Sequence, residues 1–119
     1  MLTIPTTFPQ PGFYYHYKHD PYKGLRDYAY EVLGIGFHTE GDCRPEDACM
    51  VRYRPLYTSA AVYQASLQMN TPTTDLRPVS MFMEQVTKDD KTFPRFQKIT
   101  NQTIITELKS VRREMYGEK

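Results

Sequence analysis

Proline and glycine recur through the first hundred residues, at positions 5, 9, 11, 12, 21, 24, 34, 36, 41, 45, 55, 72, 78 and 94, and leave mostly short aromatic or apolar runs between them. Runs of that length suit strands and turns better than long helices. With ten Tyr, six Phe and no Trp, the aromatic content points the same way, because flat and β-branched side chains fit a pleated, half-buried surface. Residues 13–18, Phe-Tyr-Tyr-His-Tyr-Lys, lie between Pro11-Gly12 and Asp20-Pro21 and read as a first strand. A second spans 28–38, with Tyr28, Tyr30 and Val32 on one alternation and Gly34 and Gly36 where a bend or bulge would fall. The polar, acidic stretch 39–48 then leads into Cys49–Tyr53, a third strand that stops before Arg54-Pro55.

Beyond it, residues 58–69 permit a short helix or a strand, and the period does not choose between them. Residues 75–86 read as a strand, one short turn started by Pro78, and another strand. After a turn at Lys88–Lys91, residues 93–99 form a closing strand. From there the period changes. Ile104, Ile105, Leu108, Val111 and Met115 recur at helical spacing, Lys109, Arg112 and Arg113 suit a helix C-terminus, and Gly117 stands where a cap belongs. The helix is expected to pack its stripe into the core and to leave its basic side chains in water rather than on nucleic acid.

A chain of 119 residues buries enough surface for one core without staples. One domain is therefore expected over 1–119, with 1–11 as an extended Pro-rich segment, 12–100 as a β module and 101–117 as the helix. The fold class is mainly β: a small, SH3-like, partly open barrel of about five short antiparallel strands with one C-terminal α-helix. Fifteen Lys and Arg against 14 Asp and Glu give a net charge of +1, so no global field recruits a polyanion or a membrane. Met1–Phe13 lacks the pattern of a signal peptide, and the most apolar window, 28–37, is too short to span a bilayer. Cys43 and Cys49 are expected as free, reactive thiols in a mobile loop, which fits the cytoplasm.

Six ordered blocks carry a resemblance: Gly12-Phe13-Tyr14-Tyr15-His16-Tyr17-Lys18, Tyr30-Glu31-Val32-Leu33-Gly34, His38-Thr39-Glu40, Val51-Arg52-Tyr53-Arg54-Pro55-Leu56-Tyr57, Leu76-Arg77-Pro78-Val79-Ser80-Met81-Phe82 and Pro94-Arg95-Phe96. Together they resemble the bacterial domain-of-unknown-function family 1653 across residues 12–99. The resemblance implies a fold more than an activity. Compared with short members of that family, 20–28 looks inserted and 41–48 and 57–74 look long, while Asp75-Leu76 stands where a Trp often precedes the Arg-Pro block.

For chemistry, His16 and Lys18 alternate with Tyr15 and Tyr17. Arg54, Arg77 and Arg95 each adjoin a proline, which restrains the backbone that carries them. If they converge, His16, Tyr17, Lys18, Arg54, Arg77 and Arg95 make a ligand-binding face, with guanidinium forks for a phosphate or carboxylate. Otherwise the arginines pair with Glu31, Glu40, Asp75 and Glu84. The expected role is a binding module for a small anionic or nucleotide-like ligand, or for single-stranded nucleic acid stacked on tyrosines. Two alternatives stand beside it: a small enzyme using His16 or His38 as acid/base with Asp20, Asp27, Asp42 or Glu40, and a protein–protein interaction module. No nucleophile elbow or phosphate loop is present in the sequence. The spacing of His38, Cys43 and Cys49 does not match a zinc site, so no metal or cofactor is expected.

Overall fold

In a computed structural model that describes residues 2–40 and 43–117, each short aromatic run becomes a strand. The first three are β1 (Gly12–His16), β2 (Ala29–Phe37) and β3 (Cys49–Pro55). Helix α1 (Ala61–Met69) follows, and the ambiguous stretch is thus helical, closed by Asn70 in the left-handed region with its amide on the Leu67 carbonyl. Next come β4 (Asp75–Pro78), the single turn α2 (Val79–Phe82), β5 (Gln85–Lys88), β6 (Lys91–Pro94) and β7 (Phe96–Lys98), before α3 (Gln102–Tyr116). Pro78 ends β4 and starts α2, a double role open to it because β4 is an edge strand.

Five strands form one antiparallel sheet in the order β4-β3-β2-β1-β7, and β5-β6 is a separate hairpin. The fold is mainly β with a C-terminal helix, as expected, and the large sheet ends at β4 on one side and β7 on the other, so it is open and forms no closed barrel. The predicted closing strand, 93–99, is divided: residues up to Pro94 pair within the hairpin, and Phe96 onward pairs with β1. Arg95 makes the crossing, its amide donating to the Glu84 carbonyl and its own carbonyl accepting from the Tyr17 amide. The hairpin turns through Asp89 and Asp90, both at positive φ, as a two-residue loop with right-handed strand twist requires. The bulge anticipated at the β2 glycines lies between Val32 and Gly34.

Alternation divides the side chains between the two faces. On one, Tyr14, Val32, Cys49, Val51, Tyr53, Val79, Phe82 and Phe96 form a buried cluster. On the other, Phe13, Ala29, Leu56 and Ile99 pack under Leu108 of α3, with Ile104, Ile105 and Val111 beside it. Leu108 is fully buried, and burying such a side chain contributes about 1.5–3 kcal/mol. Asn101 caps α3 by accepting the Ile104 amide at 3.1 Å. Arg112 is not solvated as expected: it turns inward and donates to Glu31 at 2.8 Å. Cys49 opens β3, as the strand reading has it, but it is 5 % exposed and so is not the reactive loop thiol expected. No helix among the described residues is long and apolar enough to cross a membrane.

Candidate ligand-binding site

β1 and β7 place His16 opposite Phe96, and β3 and β4 place Tyr53 opposite Asp75 and Val51 opposite Arg77. These residues share one face of the sheet, because cross-strand partners point the same way. Its floor is aromatic: Phe82 and Phe96 stack at 4.1 Å, and Tyr53 meets both edge-on. Tyr30 packs edge-on against Tyr53, Tyr57 and Phe96, and its hydroxyl lies 2.5 Å from that of Tyr57. Burial raises the pKa of all three tyrosines, so they are neutral hydroxyls at physiological pH.

Arg77 donates from Nε to the Tyr53 hydroxyl at 3.2 Å, and its guanidinium lies 5.7 Å from the Phe96 ring centroid. Arg95 donates to Glu84 at 2.7 Å, while its buried Nε has no hydrogen-bond partner. His16 stands between them, edge-on to Phe96 and stacked near Tyr28. Burial, followed by the positive charges of Arg95, Lys18 and Arg77, lowers its pKa to about 4. It is therefore an uncharged imidazole at neutral pH. Tyr17 packs against His16 and Phe93, and exposed Lys18 reaches to 6.0 Å from the Tyr17 ring.

Five of the six anticipated site residues, His16, Tyr17, Lys18, Arg77 and Arg95, are thus neighbours or share neighbours. Arg54 is separated from them. It projects from the opposite face of β3, donates through Nε and Nη2 to Glu31 Oε1, and stacks 4.0 Å from the Tyr116 ring centroid. Arg54 and Arg77 cannot hold one small anion together. The pairing alternative applies to Arg54 with Glu31 and to Arg95 with Glu84, whereas Arg77 makes no ion pair among the described residues.

The histidines and acids named for catalysis do not assemble. His38 is exposed just past the end of β2 remote from His16, and its Nδ1 accepts the Glu40 amide. Asp20 and Asp27 accept the Tyr22 and Asp20 amides and so shape their own loop. Asp42 lies outside the described residues. No group of three metal-ligating side chains occurs among the described residues.

Asp75, named from the sequence only as a possible arginine partner, and His19, not named at all, also belong to this region. Asp75 projects beside Arg77 from β4, and burial raises its carboxyl pKa against the lowering effect of Arg77. His19 stacks on Tyr15 at 3.5 Å and bonds through Nδ1 to the Asp27 carbonyl at 2.5 Å. The ring so held lines a groove of about 440 Å³ together with His16, Tyr17, Phe93 and Lys98.

The model of a family described as "Protein of unknown function (DUF1653)" matches residues 12–98. The chain belongs to that family. A crystal structure of another DUF1653 protein, from Bordetella bronchiseptica, is similar to it, with 26 % sequence identity, a TM-score of 0.51, and coverage of 76 % of this chain and 86 % of that one. No curated protein matches the chain. The DUF1653 match takes in β1 to β7 and stops short of α3. Every residue of the aromatic face named above therefore falls within the part that defines the family.

Proposed function

We propose that this DUF1653 protein is a cytoplasmic, non-catalytic binding module for a small anionic, nucleotide-like ligand, held on the aromatic face that carries Arg77, Arg95 and His16. One observation supports this reading above the rest. Arg77 is oriented by a neutral tyrosine hydroxyl and an aromatic ring, and among the described residues no carboxylate lies within ion-pair distance of it, so its remaining donors are available. Arg95 adds a second positive charge that acts on the same His16 and Tyr53. Tyr53, Phe82 and Phe96 are themselves buried, so the apolar surface open to a base is that of the partly exposed rings at their margin, His16, Tyr28 and Tyr57.

Catalysis is the weaker reading. A base that protonates only near pH 4 drives proton transfer poorly at neutral pH. Isothermal titration with nucleoside monophosphates tests the proposal. Arg77→Lys keeps the charge but loses the planar fork, and a loss of about tenfold or more in affinity is expected, from about 1.5–3 kcal/mol for a charged hydrogen bond. Equal binding by parent and variant would refute guanidinium recognition on this face. Turnover of a bound nucleotide would replace the module with an enzyme.

A further inference from the structure

We infer that the ligand of this face carries a pair of adjacent N–H donors, as a guanine edge does, and that Asp75 is the residue that reads them. The inference rests on the nucleotide-binding reading and deepens it. Asp75 and Arg77 alternate along β4 and so stand side by side on one face of the edge strand. Opposite charges two residues apart on a strand are placed to pair, and the Arg77 charge does act on Asp75, but among the described residues the two make no direct ion pair. Arg77 spends its Nε on the Tyr53 hydroxyl, and among the described residues Asp75 has neither an ion-pair nor a hydrogen-bond partner.

The carboxylate is nevertheless only half-exposed, with Tyr30, Tyr53, Tyr57 and Tyr116 near enough for its charge to act on them. The Tyr30 and Tyr57 hydroxyls are bonded to each other, that of Tyr53 is held by Arg77, and that of Tyr116 donates to the Pro55 carbonyl. A partly desolvated carboxylate without a donor is costly, and the cost is relieved when a ligand supplies one. A carboxylate presents two coplanar oxygens, so it fits two parallel N–H groups better than one. Beside it, Arg77 presents the complementary fork for an anion. The two side chains together select a ligand with donors at one end and negative charge at the other, and guanine nucleotides have that arrangement.

Guanosine, inosine and adenosine monophosphates separate the contributions, since all carry the phosphate. The first presents the N1–H and exocyclic N2–H₂ pair, the second N1–H alone, and the third an acceptor at N1. The full-length protein is expected to bind them in that order, with about tenfold or more between the first and the last. Asp75→Asn should collapse the order, because it removes the acceptor pair that favours the N1–H and N2–H₂ donors, and Arg77→Lys should weaken all three alike. Equal affinities for the three in the parent protein would overturn the role of Asp75 and leave nucleotide binding standing. Failure of all three to bind would overturn both. The parent comparison requires no variant to fold, and circular dichroism of Asp75→Asn establishes that its data report recognition.

Discussion

Replacing Glu31 by glutamine removes the one negative charge that two arginines share beneath α3. The Glu31 side chain is 10 % exposed, and its oxygens accept from Arg54 at 2.9 Å and from Arg112 at 2.8 Å, while those partners are 20 % and 23 % exposed. In the variant the carboxamide keeps one acceptor oxygen and turns an NH₂ toward donors, so one arginine loses its acceptor and both lose their counter-charge. Breaking a buried pair costs about 3–5 kcal/mol, and because both arginines retain some contact with water the lower end, about 3 kcal/mol, is expected. For a domain of this length that corresponds to a fall in Tm of about 10–15 °C. Urea and thermal denaturation followed by circular dichroism would measure it. A cycle with Arg112→Met should show the two changes coupled by at least about 0.5 kcal/mol, since they disrupt one network. A Glu31→Gln variant within about 0.5 kcal/mol of the parent would refute the claim that this triad anchors the helix to the sheet.

Two further outcomes follow from burial. The folded protein takes up a proton at His16 only near pH 4, whereas an unfolded chain does so near 6.5, so the unfolded state binds more protons between these values and stability falls as pH drops through that window. At face value this is about 3 kcal/mol, and solvent screening of a half-exposed ring reduces it to about 1–2 kcal/mol; a His16→Phe variant whose urea midpoints fell just as steeply from pH 6.5 to 4 would show that the acid sensitivity arises elsewhere. In a thiol titration of the native protein, Cys43 should react and Cys49 should react only on unfolding, because burial both shields Cys49 and raises its pKa.

What was legible in the sequence was local. The punctuation by proline and glycine marks the ends of β1 to β4, and the stripe from Ile104 to Met115 marks α3. Cys49 was read correctly as the first residue of the third strand, but its exposure was misjudged, because the acidic residues before it suggested a mobile loop while its alternation with Val51 and Tyr53 puts it on the buried face. Arg54 could not be separated from Arg77 by composition, since both precede a proline. What divides them is parity: Arg54 is an odd step from Tyr53 on β3, and Arg77 is opposite Val51, an even step from it. Parity across strands depends on pairing register, a long-range property fixed only when the sheet assembles. The same holds for Asp75, whose place opposite Tyr53 is invisible until β3 and β4 are aligned. The division of 93–99 at Arg95 is likewise tertiary, because it depends on Glu84 and Tyr17 waiting on either side.

The strand order also sets a sequence of events during synthesis. β1, β2, β3 and β4 pair each with its neighbour in the chain, so four strands have partners once residue 78 has emerged. The second edge of β1 and the apolar face under Leu108 must wait for residues 96–116, near the far end of the chain. Joining β1 to β7 closes the longest loop of any strand pairing among the described residues and carries the largest closure entropy of those pairings. Until it happens the nascent chain holds an unpaired aromatic strand edge open to other chains. The first strand of the sheet is therefore the last to have both of its edges covered.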